Sequence, residues 1–234
     1  MWPGSCKGWQ VTIYIPTSGT GDWQHLLAEP ELHWRDGYSA KMLAECWEAA
    51  KGIPPEVRHL LENIAPDPRL LFAFPEHKVP LPGASRGASQ NDIFAFVRAG
   101  SVTVAVMVEG KVDESFDRRL GDWLKNASPG KLERLDYLAS MLGLDMQDIP
   151  GTVHYQLLHR TVSALIEAER FKADAAAMIV HSFSPTAKWF DAFAAFCALL
   201  GVDPESGKLY RATTATCRPL YVGWAKGKPI SLAG

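Results

Sequence analysis

Two apolar runs, Ile93-Phe94-Ala95-Phe96-Val97 and Val102-Thr103-Val104-Ala105-Val106-Met107-Val108, are separated only by Arg98-Ala99-Gly100-Ser101. Both are short and rich in β-forming residues, so they read as two strands closed by a tight turn. Length alone leaves a helix open for Ile93 to Val97. Their apolarity is continuous and not alternating, which suits strands covered on both faces at the centre of an α/β sheet. The turn also sets the register. Centred between Gly100 and Ser101, it puts Asp92 opposite Glu109 at the open end of the hairpin, and Lys111 two residues further along the same face.

The rest of the chain supplies the layers such a sheet requires. Asp22 starts a short helix, and Ser39 is placed to cap a longer one through Ala50, with Gly52 stopping it. Pro54-Pro55 opens a helix to about Asn63. Residues 65–91 are rich in Pro, Gly and Ser and read as loop with one strand, Leu70 to Phe74. Helices are expected at Phe116 to Asn126, Lys131 to Leu142, Thr152 to Lys172 and from Ser184 to Gly201. Strands are expected at Val11 to Ile15, Ala175 to Ser182, Leu209 to Thr213 and Leu220 to Trp224. This order predicts an α/β fold, a mixed central sheet flanked by helices, in one domain over residues 1–234.

The open end of the hairpin is where chemistry is expected. Directly opposite residues bring their Cβ atoms to about 5 Å, and two carboxylates that close repel unless a cation lies between them. Hard carboxylate oxygens at a partly open site suit Mg²⁺ or Mn²⁺. The carbonyl of Gly110 offers a further oxygen, and the Lys111 ammonium is suited to orient a water and offset transition-state charge.

Asp92 followed by Glu109-Gly110-Lys111 at a strand end resembles the PD-(D/E)XK nuclease superfamily, whose fold is restriction-endonuclease-like. The family core runs helix, three strands, helix, strand, and the span from about residue 39 to 182 offers that order, leaving a C-terminal extension of helix and strands. The resemblance implies that Asp92 and Glu109 bind metal, that Lys111 is catalytic, and that the reaction is Mg²⁺-dependent (or Mn²⁺-dependent) phosphodiester hydrolysis. DNA is the partner it implies, with RNA and a homodimer left open. Asn91 stands where the family motif has proline, and three helices instead of one follow the hairpin. The stretches VEGKVDESF, YQLLHRTVSALIEAERF and IVHSFS are also similar to a branch of uncharacterised bacterial proteins associated with the same fold. The alternative function is that of a catalytically inactive member acting as a binding or regulatory module.

Further candidates follow from the same resemblance. Gln156, near the start of the long helix, matches a helical glutamine that some relatives place beside the metal, and His159 and Arg160 lie within one turn of it, in reach of a phosphate. Glu45 and Glu48 occupy the first core helix, where an additional metal-linked acid is found in the family, and Glu48 is preferred. His181 and Ser182 end the fourth core strand, where a structural histidine is the simpler reading.

Other classes lack their signatures. No GxxxxGK[ST] or GxGxxG loop and no GxSxG elbow occurs. The four cysteines form no CxxC pair, and a formal charge of −2 gives no global basic field. With no signal-like N-terminus and no bilayer-length apolar run, a cytoplasmic protein with no membrane partner is expected.

Overall fold

The computed structural model describes residues 17–83 and 87–228, so the strand expected at Val11 to Ile15 lies outside the described residues. The central element is a six-stranded mixed sheet in the order β1-β2-β3-β4-β6-β5. Its strands are β1 (Pro68–Val79), β2 (Ser89–Ala99), β3 (Val102–Lys111), β4 (Ala175–Ser182), β5 (Leu209–Ala212) and β6 (Leu220–Lys226). The first three form an antiparallel meander. A crossover then makes β4 parallel to β3 and β6 parallel to β4, with β5 antiparallel at the far edge.

The helices are α1 (Thr20–Leu26), α2 (Pro30–His33), α3 (Ser39–Ala50), α4 (Pro55–Leu61), α5 (Leu120–Trp123), α6 (Pro129–Leu142), α7 (Tyr155–Arg170) and α8 (Phe190–Leu199). They cover both faces of the sheet. On one face Phe94, Met107, Met178 and Val180 pack with Leu138, Leu157, Val162 and Phe196 from α6, α7 and α8. On the other, Val106, Val108 and Ile179 pack with Leu43, Trp47, Val57 and Leu60 from α3 and α4. Every residue of β4 is buried, which is why its sequence shows no alternation. The fold is therefore α/β, a mixed sheet between two helical layers. No helix among the described residues is long and apolar enough to cross a membrane.

The hairpin has the expected register, Ile93↔Val108 through Ala99↔Val102. Gly100 sits in the two-residue turn at φ 54, a left-handed conformation that costs glycine nothing and side-chain-bearing residues more. The segment 65–91 differs most from expectation, because much of it is β1, twelve residues long instead of five. Pro75 lies within it, paired with Ile93. An outer strand tolerates proline, since its missing N–H faces no neighbour. The pairing skips Glu76, the next residue, which takes φ 52. The helix expected at Phe116 to Asn126 contracts to the single turn of α5.

Candidate functional site

The hairpin register brings Asp92 and Glu109 one step beyond the last ladder pair, and the β1–β2 register sets Glu76 beside Asp92 in turn. Three carboxylates on three adjacent strands thus form a row across the sheet end. They line a cleft of about 300 Å³ together with Lys111, Gln156, Arg160, Glu114 and Asp117, and with Ser39 at the start of α3. Five acids in this lining face two permanent cations, Lys111 and Arg160.

The polar contacts are short. Lys111 Nζ donates to Glu109 Oε1 at 2.5 Å, and Arg160 Nε donates to Glu109 Oε2 at 2.6 Å. Arg160 Nη2 also reaches Asp92 Oδ1 at 3.5 Å. The Gly110 N–H donates to Asp92 Oδ2 at 2.8 Å. In an extended strand a residue's N–H and C=O point the same way, so the Gly110 carbonyl faces the β2 side too. Gly110 is also a packing requirement, since a Cβ there would lie 2.3 Å from Leu43 Cδ1. Glu114 accepts from the Ser39 N–H at 2.7 Å and from the Val112 N–H at 2.9 Å. The N-terminus of α3 is thereby capped from the loop after β3, and Ser39 is the first helical residue rather than the cap.

The electrostatics follow from this geometry. Burial works to raise the Glu109 carboxyl, but Arg160 and Lys111 outweigh it and hold its pKa below the usual carboxylate range. Asp92 gets less help. Burial, with the Glu109 charge beside it, pushes it up to about 6 against the pull of Arg160 and Lys111. Burial and the Asp92 charge push Glu76 up to about 8, despite the hydrogen bond it accepts from Gln90 Nε2 at 2.6 Å. Fully ionised, the row would carry one negative charge more than its two cations neutralise, and the raised pKa of Glu76 keeps that carboxyl protonated at neutral pH. Hard oxygen donors whose repulsion opposes full ionisation suit a small divalent cation, which would take the place of the proton, so the donor set fits Mg²⁺ or Mn²⁺.

Of the residues singled out in the sequence, Asp92, Glu109, Gly110, Lys111 and Gln156 meet at this cleft. Gln156 Oε1 accepts from the Asp117 N–H at 3.2 Å, and its Nε2 has no partner among the described residues. Glu48 is not among the lining residues. Its Oε1 accepts from Trp23 Nε1 at 2.8 Å and Thr17 Oγ1 at 3.2 Å, so it ties α1 to α3. Glu45 is engaged by Lys41 at 3.9 Å. His159 bonds Ser89 Oγ at 2.8 Å, and burial, with Arg160 beside it, lowers its pKa well below the ordinary value. It is neutral at physiological pH and offers no charge to a phosphate. Arg160, expected to reach a phosphate from its place one turn after Gln156, is held by the carboxylates of Glu109 and Asp92. Glu76 was missed, because it sits in a segment that reads as loop.

A family model described as "Domain of unknown function (DUF6946)" matches residues 16–229, nearly the whole chain. The chain belongs to the DUF6946 family. No curated protein and no solved structure matches it. In this DUF6946 protein the candidate site therefore stands on its own geometry: three strands supply the acids, the end of β3 supplies Lys111, and α7 supplies Arg160 and Gln156.

Proposed function

We propose that the chain is a restriction-endonuclease-like member of the PD-(D/E)XK superfamily that hydrolyses phosphodiester bonds in DNA with Mg²⁺ or Mn²⁺. The observation that carries this reading is the meeting of Asp92, Glu109 and Lys111 in one cleft at the end of a buried hairpin. The element order adds support, since α3, β1 to β3, α7 and β4 follow the helix, three strands, helix and strand that the resemblance implies, although α5 and α6 also lie between β3 and β4. The choice of DNA rests on the resemblance.

Asp92 and Glu109 would hold the ion, with Glu76 and the Gly110 carbonyl as further oxygen donors. When bound, the ion supplies Lewis-acid stabilisation and a water of lowered pKa. The chain's own groups do the rest. Lys111 carries a positive charge that Glu109 holds in place, and in the cleft it is positioned to orient the attacking water and to offset charge growing on phosphorus-bound oxygen. Arg160 presents a planar guanidinium suited to a phosphate oxygen. The Gln156 Nε2, without a partner among the described residues, would donate to substrate. The acidic lining repels a phosphodiester in the absence of a cation, so substrate binding is itself metal-linked. The free thiols Cys46, Cys197 and Cys217 suit the reducing cytoplasm in which we place the protein.

One observation favours a second reading. Both oxygens of Glu109 are already engaged by cations, Lys111 and Arg160, as they would be in a metal-free ion cluster serving a binding module. Incubation with labelled duplex and single-stranded DNA, and with RNA, separates the two readings. The nuclease reading predicts strand scission that requires Mg²⁺ or Mn²⁺ and disappears in Asp92→Asn. Folded wild type that cleaves none of these substrates with either ion supports the binding module.

A further inference from the structure

On the opposite face of the sheet from Arg160, three side chains from three elements converge. They are Cys46 of α3, Glu56 of α4 and His181 of β4, and their ligand atoms all lie within 4.8 Å of one another. Cys46 Sγ stands 3.7 Å from Glu56 Oε1, and His181 Nε2 stands 2.8 Å from the same oxygen. His181 is fully buried and Cys46 nearly so, whereas the Glu56 side chain keeps 22% of its surface exposed.

We propose that Cys46, Glu56 and His181 form a second metal site, for a zinc-class divalent ion, distinct from the carboxylate row. The donor chemistry carries this. Sulfur, imidazole nitrogen and one carboxylate oxygen make a borderline-soft set that zinc accepts and Mg²⁺ does not. Ligand bonds of about 2.0–2.3 Å at tetrahedral angles place donor atoms about 3.3–3.6 Å apart. The Cys46 to Glu56 separation is already close to that size, the His181 to Glu56 hydrogen bond has to open by roughly half an ångström, and the Cys46 to His181 separation, within 4.8 Å, has to settle at the same spacing. Coordination takes Cys46 as thiolate, its proton leaving to solvent. Three protein ligands leave a fourth tetrahedral position, and the exposed edge of Glu56 lets a water fill it.

The placement gives the site a consequence. His181 is the β4 neighbour of Gly110, whose N–H holds Asp92. Cys46 belongs to α3, the helix whose first N–H is capped by Glu114 in the acidic cleft. An ion joining α3, α4 and β4 therefore braces the structure behind the carboxylate row, whatever that row does. None of this depends on nuclease chemistry.

The test is substitution with Co²⁺ and titration with Zn²⁺ on the full chain. Wild type should bind one Zn²⁺ tightly and, with Co²⁺, show the absorption of a thiolate–cobalt bond. Cys46→Ser should lose that absorption and weaken Zn²⁺ binding by more than the ~10–100-fold that loss of an outer-shell partner costs. Glu56→Gln, at a partly exposed position where the fold is under less threat, should weaken Zn²⁺ binding while circular dichroism stays native. Asp92→Asn should keep both signals, since the acidic row is a separate site. No thiolate absorption in wild type would overturn the proposal. So would a signal that survives Cys46→Ser and is lost in Cys217→Ser, which would place it at the exposed thiol.

Discussion

Replacing Asp92 with Asn should raise stability in chelator and abolish stabilisation by Mg²⁺, so that the melting temperatures of variant and wild type change order. The folded-state pKa of Asp92 is raised from 3.8 to about 6 by burial and by Glu109. Over the window between those values the folded chain holds a proton that the unfolded chain has lost. Stability therefore falls as pH rises through it, and the full cost is present above pH ~6. Two units correspond to about 3 kcal/mol at 1.36 kcal/mol per unit. Asparagine removes that cost and can still accept the Gly110 N–H through Oδ1, but it gives up the contact with Arg160. The two-unit shift is already net of that attraction, so the gain stays at about 3 kcal/mol, or roughly 6–12 °C in a chain of this size. Mg²⁺ at a thousandfold its dissociation constant adds about 4.1 kcal/mol to wild type and nothing to the variant. Mg²⁺ is the right probe because a site containing thiol and imidazole does not take it. The assay is a thermal melt at pH 8 with chelator or with Mg²⁺. A variant less stable than wild type in chelator, or one that gains as much from Mg²⁺, would refute the reasoning.

Three more outcomes follow. Lys111→Ala should abolish cleavage and also lower stability by about 3 kcal/mol, because Lys111 is buried against Glu109 and removing one member of a buried pair exposes the cost of the other; a cleavage assay on variant confirmed folded by circular dichroism checks the first, a denaturant titration the second. Gly110→Ala should cost about 1–3 kcal/mol through collision with Leu43, and Leu43→Ala added to it should recover part of that loss, as a double-mutant cycle in denaturant would reveal. Gln156→Ala should lower turnover or affinity while costing about 1 kcal/mol for the lost Asp117 N–H acceptor; normal cleavage at normal stability would remove Gln156 from the site.

How much of this was legible depends on where each residue sits. Asp92, Glu109 and Lys111 could be placed together because a two-residue turn and two buried apolar runs leave one register that keeps both faces dry. The α/β class followed from the same runs. Glu76 was hidden, since its strand carries Pro75 and breaks its ladder at a left-handed residue, features that read locally as loop and are tolerated only at an outer strand. A non-glycine residue at positive φ within a row of acids is the sort of local strain that clusters at functional sites, but no sequence pattern announces it. Glu48 failed for the opposite reason. It lies on the expected helix, but Trp23, from a segment whose docking cannot be foreseen, takes its carboxylate. Cys46, Glu56 and His181 are 10 and 125 residues apart, and only the packing of α3 and α4 against β4 brings them together.

The central claim is that the carboxylate row at the hairpin end is a divalent-cation site, and crystals grown with Mn²⁺ test it most directly through anomalous scattering. The account predicts a peak bounded by the carboxylates of Asp92 and Glu109, with Glu76 adjoining and at least one Glu109 oxygen released from its cation. A map with no peak there, and with Lys111 and Arg160 still holding both Glu109 oxygens, would contradict it.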